Sequence, residues 1–367
     1  MLLLITFCLI VLVQLYFHLF LFIKFSTYKR VFQKIPSVGV SVIICARNEA
    51  ENLKKLLPLL ATQEHDNFEI ILINDGSEDD TAQIIQSFEK QCSKAAFTVK
   101  SVHISKKDTK GKKSALSQGI SYADHDWILL TDADCVPVSN KWITLMTSDL
   151  DKQTEIVLGY GAYEKIERSF LNKLIRFETL LTGIQYFSYA LAGKPYMGVG
   201  RNLAYKRSSF ERVKGFSNHS EVKSGDDDLL VSEVADASNT QICVTEESIT
   251  VSNPHTSYSG WIRQKRRHIT TAGFYKKNTK FLLASFFLSQ LSFYILFLAL
   301  ILDGKHLTTA ILAFSIRFLF WYWNVSKAAR ILNEKDLVLF GPLYEISIIF
   351  MQLYIYLRNL ASPPKHW

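Results

Sequence analysis

Four apolar runs constrain this chain more than any other feature: Leu2–Ile23, Phe281–Leu302, His306–Val325 and Leu337–Leu357. A helix needs roughly 20 apolar residues to cross the hydrocarbon core of a bilayer, and each run reaches that length. The third carries Arg317 and the fourth Glu345. Residues 24–280, between the first run and the second, have ordinary globular composition. The pattern predicts an N-terminal transmembrane helix over residues 1–25, a folded domain over 38–275 and a C-terminal membrane domain of about three spans over 280–358. The first run is read as an anchor and not as a signal peptide, because no basic segment precedes it and it is too long for a signal h-region.

Charge placement orients the spans. Lys24, Lys29, Arg30 and Lys34 follow the first run, and Arg263, Lys265, Arg266, Arg267, Lys276, Lys277 and Lys280 precede the second. Lys327, Arg330 and Lys335 lie in the loop before the fourth, while the loop Asp303–Lys305 is short and nearly neutral. Basic flanks stay on the cytoplasmic side. The chain therefore reads as a multi-pass integral membrane protein of the bacterial inner-membrane type, with its central domain in the cytoplasm. The net charge of +8 gathers beside the apolar runs. That position favours anionic membrane lipids over nucleic acid as partner. The five cysteines, Cys8, Cys45, Cys92, Cys135 and Cys243, are scattered without CxxC spacing. They predict reduced thiols and no zinc site.

From residue 40 the pattern alternates. Val40–Cys45, Phe68–Ile73, Phe97–Ile104, Asp126–Leu130 and Ile156–Tyr163 read as strands. Ala50–Gln63, Asp79–Gln91 with Ser77 as N-cap, Lys112–Ala123 and Asn140–Leu150 read as helices. Strict alternation predicts an α/β domain with a mostly parallel, Rossmann-like sheet. Ligands bind such sheets outside the carboxyl ends of the strands. There the chain places Arg47-Asn48-Glu49, Asp75-Gly76-Ser77 and Asp132-Ala133-Asp134. Phe170–Leu191 is aromatic and amphipathic, with Lys173, Arg176 and Glu178 among its apolar residues. It reads either as a membrane-surface helix or as the core helix of a second subdomain.

The acids carry the chemical expectation. In "ILLTDADCVP" an apolar strand runs into Asp132 and Asp134, one residue apart. Buried like charges need a counter-ion. Two carboxylates on one side of an extended segment suit a hard divalent cation, which would also hold a diphosphate; a solvated turn is the plainer alternative. Asp75 is placed to accept hydrogen bonds from a base or ribose, while Ser77 and Asp79 can be local caps. Lys110-Gly111-Lys112-Lys113 opens a helix, a setting that favours phosphate, yet it lacks the full P-loop pattern. Asp226, Asp227 and Asp228 start another helix; the helix dipole accounts for one of them, and a general base is the further role. Gln264 and Arg267 share a helix face at i and i+3, placed for an acceptor or diphosphate, within a cluster that topology alone would explain.

The stretches "SVIICARNEAENL", "FEIILINDGSEDDT", "KGKKSALSQGI", "LLTDADCVP", "GVGRNLAYKRSSF", "SGDDDLLV" and "QKRRH" together resemble the family 2 glycosyltransferases of the GT-A fold, in their membrane-anchored form. The resemblance covers about residues 38–275, divided into a nucleotide-sugar-binding half, 38–163, and an acceptor half, 164–275. It implies that Glu49 and Asp75 contact the uracil or ribose, that Asp132 contacts the nucleotide, and that Asp134 binds Mg²⁺ or Mn²⁺ on the diphosphate. "GDDDLL" is similar to the GDDRHL element of hyaluronan synthases, which makes Asp227 the base and Asp226 the runner-up. Gln264 and Arg267 match the Q-x-x-R-W element of processive synthases, with His268 where that element has Trp. The implied reaction is one inverting displacement: Asp227 deprotonates an acceptor hydroxyl, and the metal with Lys112 or Arg267 stabilises the leaving diphosphate. The implied partners are a nucleotide-sugar donor, UDP-linked by family preference, and a lipid-linked or glycan acceptor. A non-processive transferase is the leading expectation, because His268 weakens the acceptor platform; a processive polysaccharide synthase is the alternative. A non-catalytic scaffold or transporter would explain Arg317 and Glu345 as functional intramembrane charges, where a mutual ion pair is the simpler account.

Overall fold

The computed structural model describes residues 1–30, 38–108, 110–148, 150–222 and 224–362; Lys34, counted above among the flanking cations, lies outside them. The chain divides into two compact units. One comprises residues 30–166 and 195–255, the other residues 1–29, 167–194 and 256–367.

The first unit is built on a sheet of seven strands. In chain order the strands of this unit are β1 (Val40–Ala46), β2 (Phe68–Asp75), β3 (Thr98–Ile104), β4 (Trp127–Leu130), β5 (Cys135–Pro137), β6 (Ile156–Gly159), β7 (Gly161–Tyr163), β8 (Leu203–Lys206), β9 (Thr240–Cys243) and β10 (Thr250–Ser252). The large sheet has the order β3-β2-β1-β4-β8-β6-β9, and β5-β10-β7 form a second, small sheet. β2 is buried along its whole length, as its apolar run Ile70–Ile73 requires of a strand covered on both faces, and the buried Glu69 near its start pairs with Lys100 at 2.7 Å. Its neighbour β1 pairs with it in parallel from Val40↔Phe68 to Ala46↔Asn74. Val42, Ile44, Leu53, Leu57, Ile70, Leu72, Trp142 and Ile143 meet in one core.

The large sheet is mostly parallel, as expected, with β8 entering antiparallel between β4 and β6. Two expectations change here. The strand expected over Ile156–Tyr163 is two strands in two sheets. The break falls at Tyr160, whose carbonyl accepts from Asn202 Nδ2 at 3.0 Å as well as from the Thr250 N–H of β10 at 3.3 Å. Asn202 is fully buried and also binds the Ser248 carbonyl and the Trp142 indole, and a Cβ on Gly159 would lie 2.5 Å from it. That close approach requires glycine at the strand end. The helix expected over Asn140–Leu150 contracts to Trp142–Met146.

The second unit is helical: Leu2–Tyr16 continued by a π-helical turn Phe17–Phe22 and by Ile23–Ser26, then Phe170–Leu191, Tyr258–Ile269, Lys277–Asp303, Leu307–Ile331 and Gly341–Ala361. Phe170–Leu191 is buried on both faces, Arg176 and Glu178 included, so it is a core helix. Among the described residues two helices, Leu2–Ser26 and Lys277–Asp303, are long and apolar enough to cross a membrane. The two that follow carry Arg317 and Glu345, and both side chains are 0% exposed. They neutralise each other: Arg317 Nη1 and Nη2 lie 3.0 and 2.8 Å from the two oxygens of Glu345. Gln14 Oε1 accepts from Arg317 at 3.0 Å, Gln290 donates to Glu345 at 2.5 Å, and the Tyr294 hydroxyl also donates to Glu345. Every charge in this seam has its partner, which is the condition for burying it.

Candidate active site

Because β1, β2 and β4 are parallel, their carboxyl ends open on one edge of the sheet. Antiparallel β8 begins on that edge, so Gly200 and Arg201 lie beside the end of β4. The loops after β1 and β2 are cross-linked. The Asn48 N–H donates to Ser77 Oγ at 3.0 Å, and Asn48 Oδ1 accepts from the Glu78 N–H at 2.8 Å. The Glu49 N–H donates to Thr81 Oγ1 at 2.9 Å, and that of Ala50 to Asp79 Oδ2 at 3.2 Å. Asn48 holds a φ of 57°, a left-handed conformation that Asn tolerates better than most residues. Ser77 is therefore a loop tie and not the expected cap; the helix starts at Thr81 with Asp80 before it.

Asp75 ends β2 at 5% exposure, and its Oδ1 is buried without a hydrogen-bond partner. Burial pushes its carboxyl up, with Arg47 pulling the other way. Glu49 is also raised, by burial first and then by the field of Asp134 and Asp132, against a 2.6 Å hydrogen bond from Asn52.

Asp132 and Asp134 do not stand on an extended segment as expected. The chain turns there, and the Cys135 N–H donates to the Asp132 carbonyl at 3.0 Å. The turn still gathers one oxygen of each carboxylate and Cys135 Sγ within 4.8 Å of one another. Burial and then Asp132 raise the Asp134 carboxyl. Burial and the same two acids hold the Cys135 thiol well above its ordinary range, so it stays protonated, 3.4 Å from Asp134 Oδ1 and 2.8 Å from Ser252 Oγ. A protonated thiol is no ligand for a hard cation. The donors are carboxylate oxygens gathered at one turn, a set that fits Mg²⁺ or Mn²⁺.

Lys112 joins this pair to the third acidic group. Its ammonium lies 2.7 Å from Asp132 Oδ1 and 2.9 Å from Asp226 Oδ2. Burial disfavours its charge, yet Asp132, Asp226 and Asp227 keep its pKa well above the usual lysine range. Burial likewise opposes ionisation of Asp226, but Lys112 wins and holds that carboxyl low. Asp227 is the opposite case: burial, then Asp226 and Asp228, push it up to about 7. Its two oxygens accept the N–H groups of Gly200 at 2.7 Å and Asp228 at 2.8 Å. Asp228 accepts the Leu229 N–H at 2.8 Å. Asp226 and Asp228 are buried, whereas Asp227 keeps partial access to solvent.

Comparisons with known proteins agree with this geometry. Residues 41–214 match the family model for glycosyl transferase family 2. The chain carries a family 2 glycosyltransferase domain. A poly-β-1,6-N-acetyl-D-glucosamine synthase of Staphylococcus epidermidis is 35% identical over 177 residues, 48% of this chain and 41% of that protein. A protein of the same name from Staphylococcus aureus strain COL is 27% identical over 124 residues, 34% of this chain and 28% of that one. The chain thus spans less than half the length of these curated relatives. In fold it resembles a mannosyltransferase from Pyrobaculum calidifontis solved in complex with GDP-Man and Mn²⁺, with a TM-score of 0.57 at 17% identity over 93% of this chain and 99% of that one. The α/β unit has the GT-A fold.

Within the α/β unit the structure gathers Glu49, Asp75, Lys112, Asp132, Asp134 and Asp226–Asp228 on one sheet edge. Gln264 and Arg267 lie on the helix Tyr258–Ile269, which belongs to the helical unit. One residue that composition and spacing did not single out is Arg201. Its guanidinium stacks 4.3 Å over the Tyr163 ring and donates to Ser252 Oγ at 3.0 Å and the Ala162 carbonyl at 3.2 Å. It stands inside the matching stretch "GVGRNLA", the one signal available for it.

Proposed function

We propose that the chain is an inverting, metal-dependent glycosyltransferase that moves a hexosyl or N-acetylhexosaminyl group from a UDP-sugar to a lipid-linked or cell-envelope acceptor, one sugar at a time. The observation that carries this reading is Lys112, whose single ammonium pairs with Asp132 of the donor acids and with Asp226 of the base cluster. A divalent cation on Asp134 and Asp132 would neutralise the leaving diphosphate. Asp75 and Glu49 would hold the nucleoside. Asp227 is the base: it keeps access to solvent, and a pKa of about 7 suits proton transfer at neutral pH. It takes the proton of an acceptor hydroxyl as that oxygen bonds to the anomeric carbon. The bond to the diphosphate breaks with its electron pair leaving on the diphosphate oxygen, and one displacement inverts the centre. Gln264 and Arg267 enter on the Q-x-x-R pattern alone.

We place the helical unit in the membrane as four spans, since the Arg317–Glu345 pair removes the net charge from the last two, with the α/β unit on the cytoplasmic side. Its test is release of UDP from UDP-N-acetylglucosamine by the full chain in proteoliposomes. Release that needs Mn²⁺ or Mg²⁺ and stops with EDTA is the expected result. No release from UDP- or GDP-sugars by the folded protein contradicts the reading. The base also fixes a pH dependence. Asp227 acts only when deprotonated, and its pKa lies above the usual carboxylate value, at about 7. kcat is therefore expected to be full above that pH and to fall tenfold per unit below it. A flat profile from pH 5 to 8 would exclude Asp227 as base.

A processive synthase is the second reading, favoured because the relatives named above are polymer synthases. Product length on a sizing gel separates the two.

A further inference from the structure

The two lysines that open the helix Lys112–Ser121 point to different work. Lys112 is committed to carboxylates. Lys113 reaches the other way, to the segment that leads into the acidic cluster. Its Nζ lies 2.8 Å from the carbonyls of both His219 and Val222 and 3.1 Å from His219 Nδ1. An ammonium has three donors, and these three acceptors use them all. The ammonium also lies 5.8 Å from the centre of the Phe216 ring, which packs against His219. His219 is buried and its pKa is lowered to about 4, by burial first and then by Lys113. Its Nδ1 is thus free to accept. Its Nε2–H faces Glu233 at 3.8 Å.

Resting on the proposed function, we infer that Lys113 is a positioning residue for the reaction: it clamps Phe216–Val222 so that Asp226 meets Lys112 and Asp227 meets the Gly200 N–H. Asp226 stands four residues after Val222 and pairs with the neighbouring lysine. Lys112 and Lys113 therefore grip the entry to the base cluster at successive points. Lys113 touches none of Glu49, Asp75, Asp132 or Asp134, so its loss leaves the donor side intact. Displacing a catalytic group by about 1 Å costs about 100-fold in rate.

The test is steady-state UDP release from UDP-N-acetylglucosamine by the full chain in proteoliposomes, with UDP affinity measured by calorimetry. Lys113→Met is expected to lower kcat ~10- to 100-fold, with KM and UDP affinity within about twofold of wild type. Lys113→Arg, which keeps the charge and the donors, is expected to recover most of the loss. His219→Ala removes one acceptor of three and serves if Lys113→Met does not fold; a smaller fall in kcat with KM unchanged is expected. Wild-type kcat in Lys113→Met, or in His219→Ala where that variant stands in, would overturn the inference. So would a loss carried by KM and UDP affinity, which would make Lys113 a donor-binding residue. If wild type itself releases no UDP, the proposed function fails first.

Discussion

Asp227→Asn is expected to lower kcat by about 100- to 10,000-fold, the range a general base contributes, while UDP affinity stays near wild type. Asn keeps the volume and cannot take a proton. One amide oxygen can still accept the N–H of Gly200 or of Asp228. The other position becomes an NH₂ facing an N–H donor, at a cost in stability of about 1–3 kcal/mol. Thermal unfolding of the variant separates that cost from the catalytic loss. Asp228→Asn is the control, because its carboxylate is engaged with the Leu229 N–H; it is expected to lose far less. An Asp227→Asn enzyme that retains a tenth of wild-type kcat would move the base to Asp226.

The second large effect lies in the helical unit. Arg317→Met leaves the Glu345 carboxyl fully buried without its counter-ion, bound among the described residues by Gln290 and Tyr294. Removing one member of a buried ion pair costs about 3–5 kcal/mol, whereas replacing both with apolar residues is often neutral. The single variant is expected to unfold in detergent at a clearly lower temperature, and Arg317→Met with Glu345→Met is expected to recover most of the loss. Equal Tm values for the single and double variants would show that the pair does not hold these helices together. The same result bears on the scaffold or transporter alternative, since charges that neutralise each other do not by themselves mark a transport route.

Much of the α/β unit was legible in the sequence because its signals are local. The apolar run Ile70–Ile73 specifies a buried strand, and polar residues after each strand specify the edge where a ligand binds. What the sequence hid depends on register between distant segments. Nothing local says that β8 enters antiparallel and brings Gly200 and Arg201 to the site. Nor does local pattern say that Lys112 meets Asp226. The role of Ser77 was misread for the same reason: a cap is a preference within a few residues, and here the hydroxyl serves Asn48 in another loop. The acids themselves could be read because burying three carboxylate groups on one edge is costly without a ligand to use them.

The most direct test of the account is calorimetric titration of the detergent-solubilised chain with UDP and GDP, each with Mn²⁺ and with EDTA, on wild type and on Asp134→Ala. Asp134 has no Lys, Arg or His paired with it among the described residues, and burial raises its carboxyl. UDP binding that requires Mn²⁺ and disappears in Asp134→Ala is the predicted result. Equal binding with EDTA, or equal binding by the variant, would contradict a metal on Asp132 and Asp134. No binding of either nucleotide by the folded protein would contradict the transferase assignment itself.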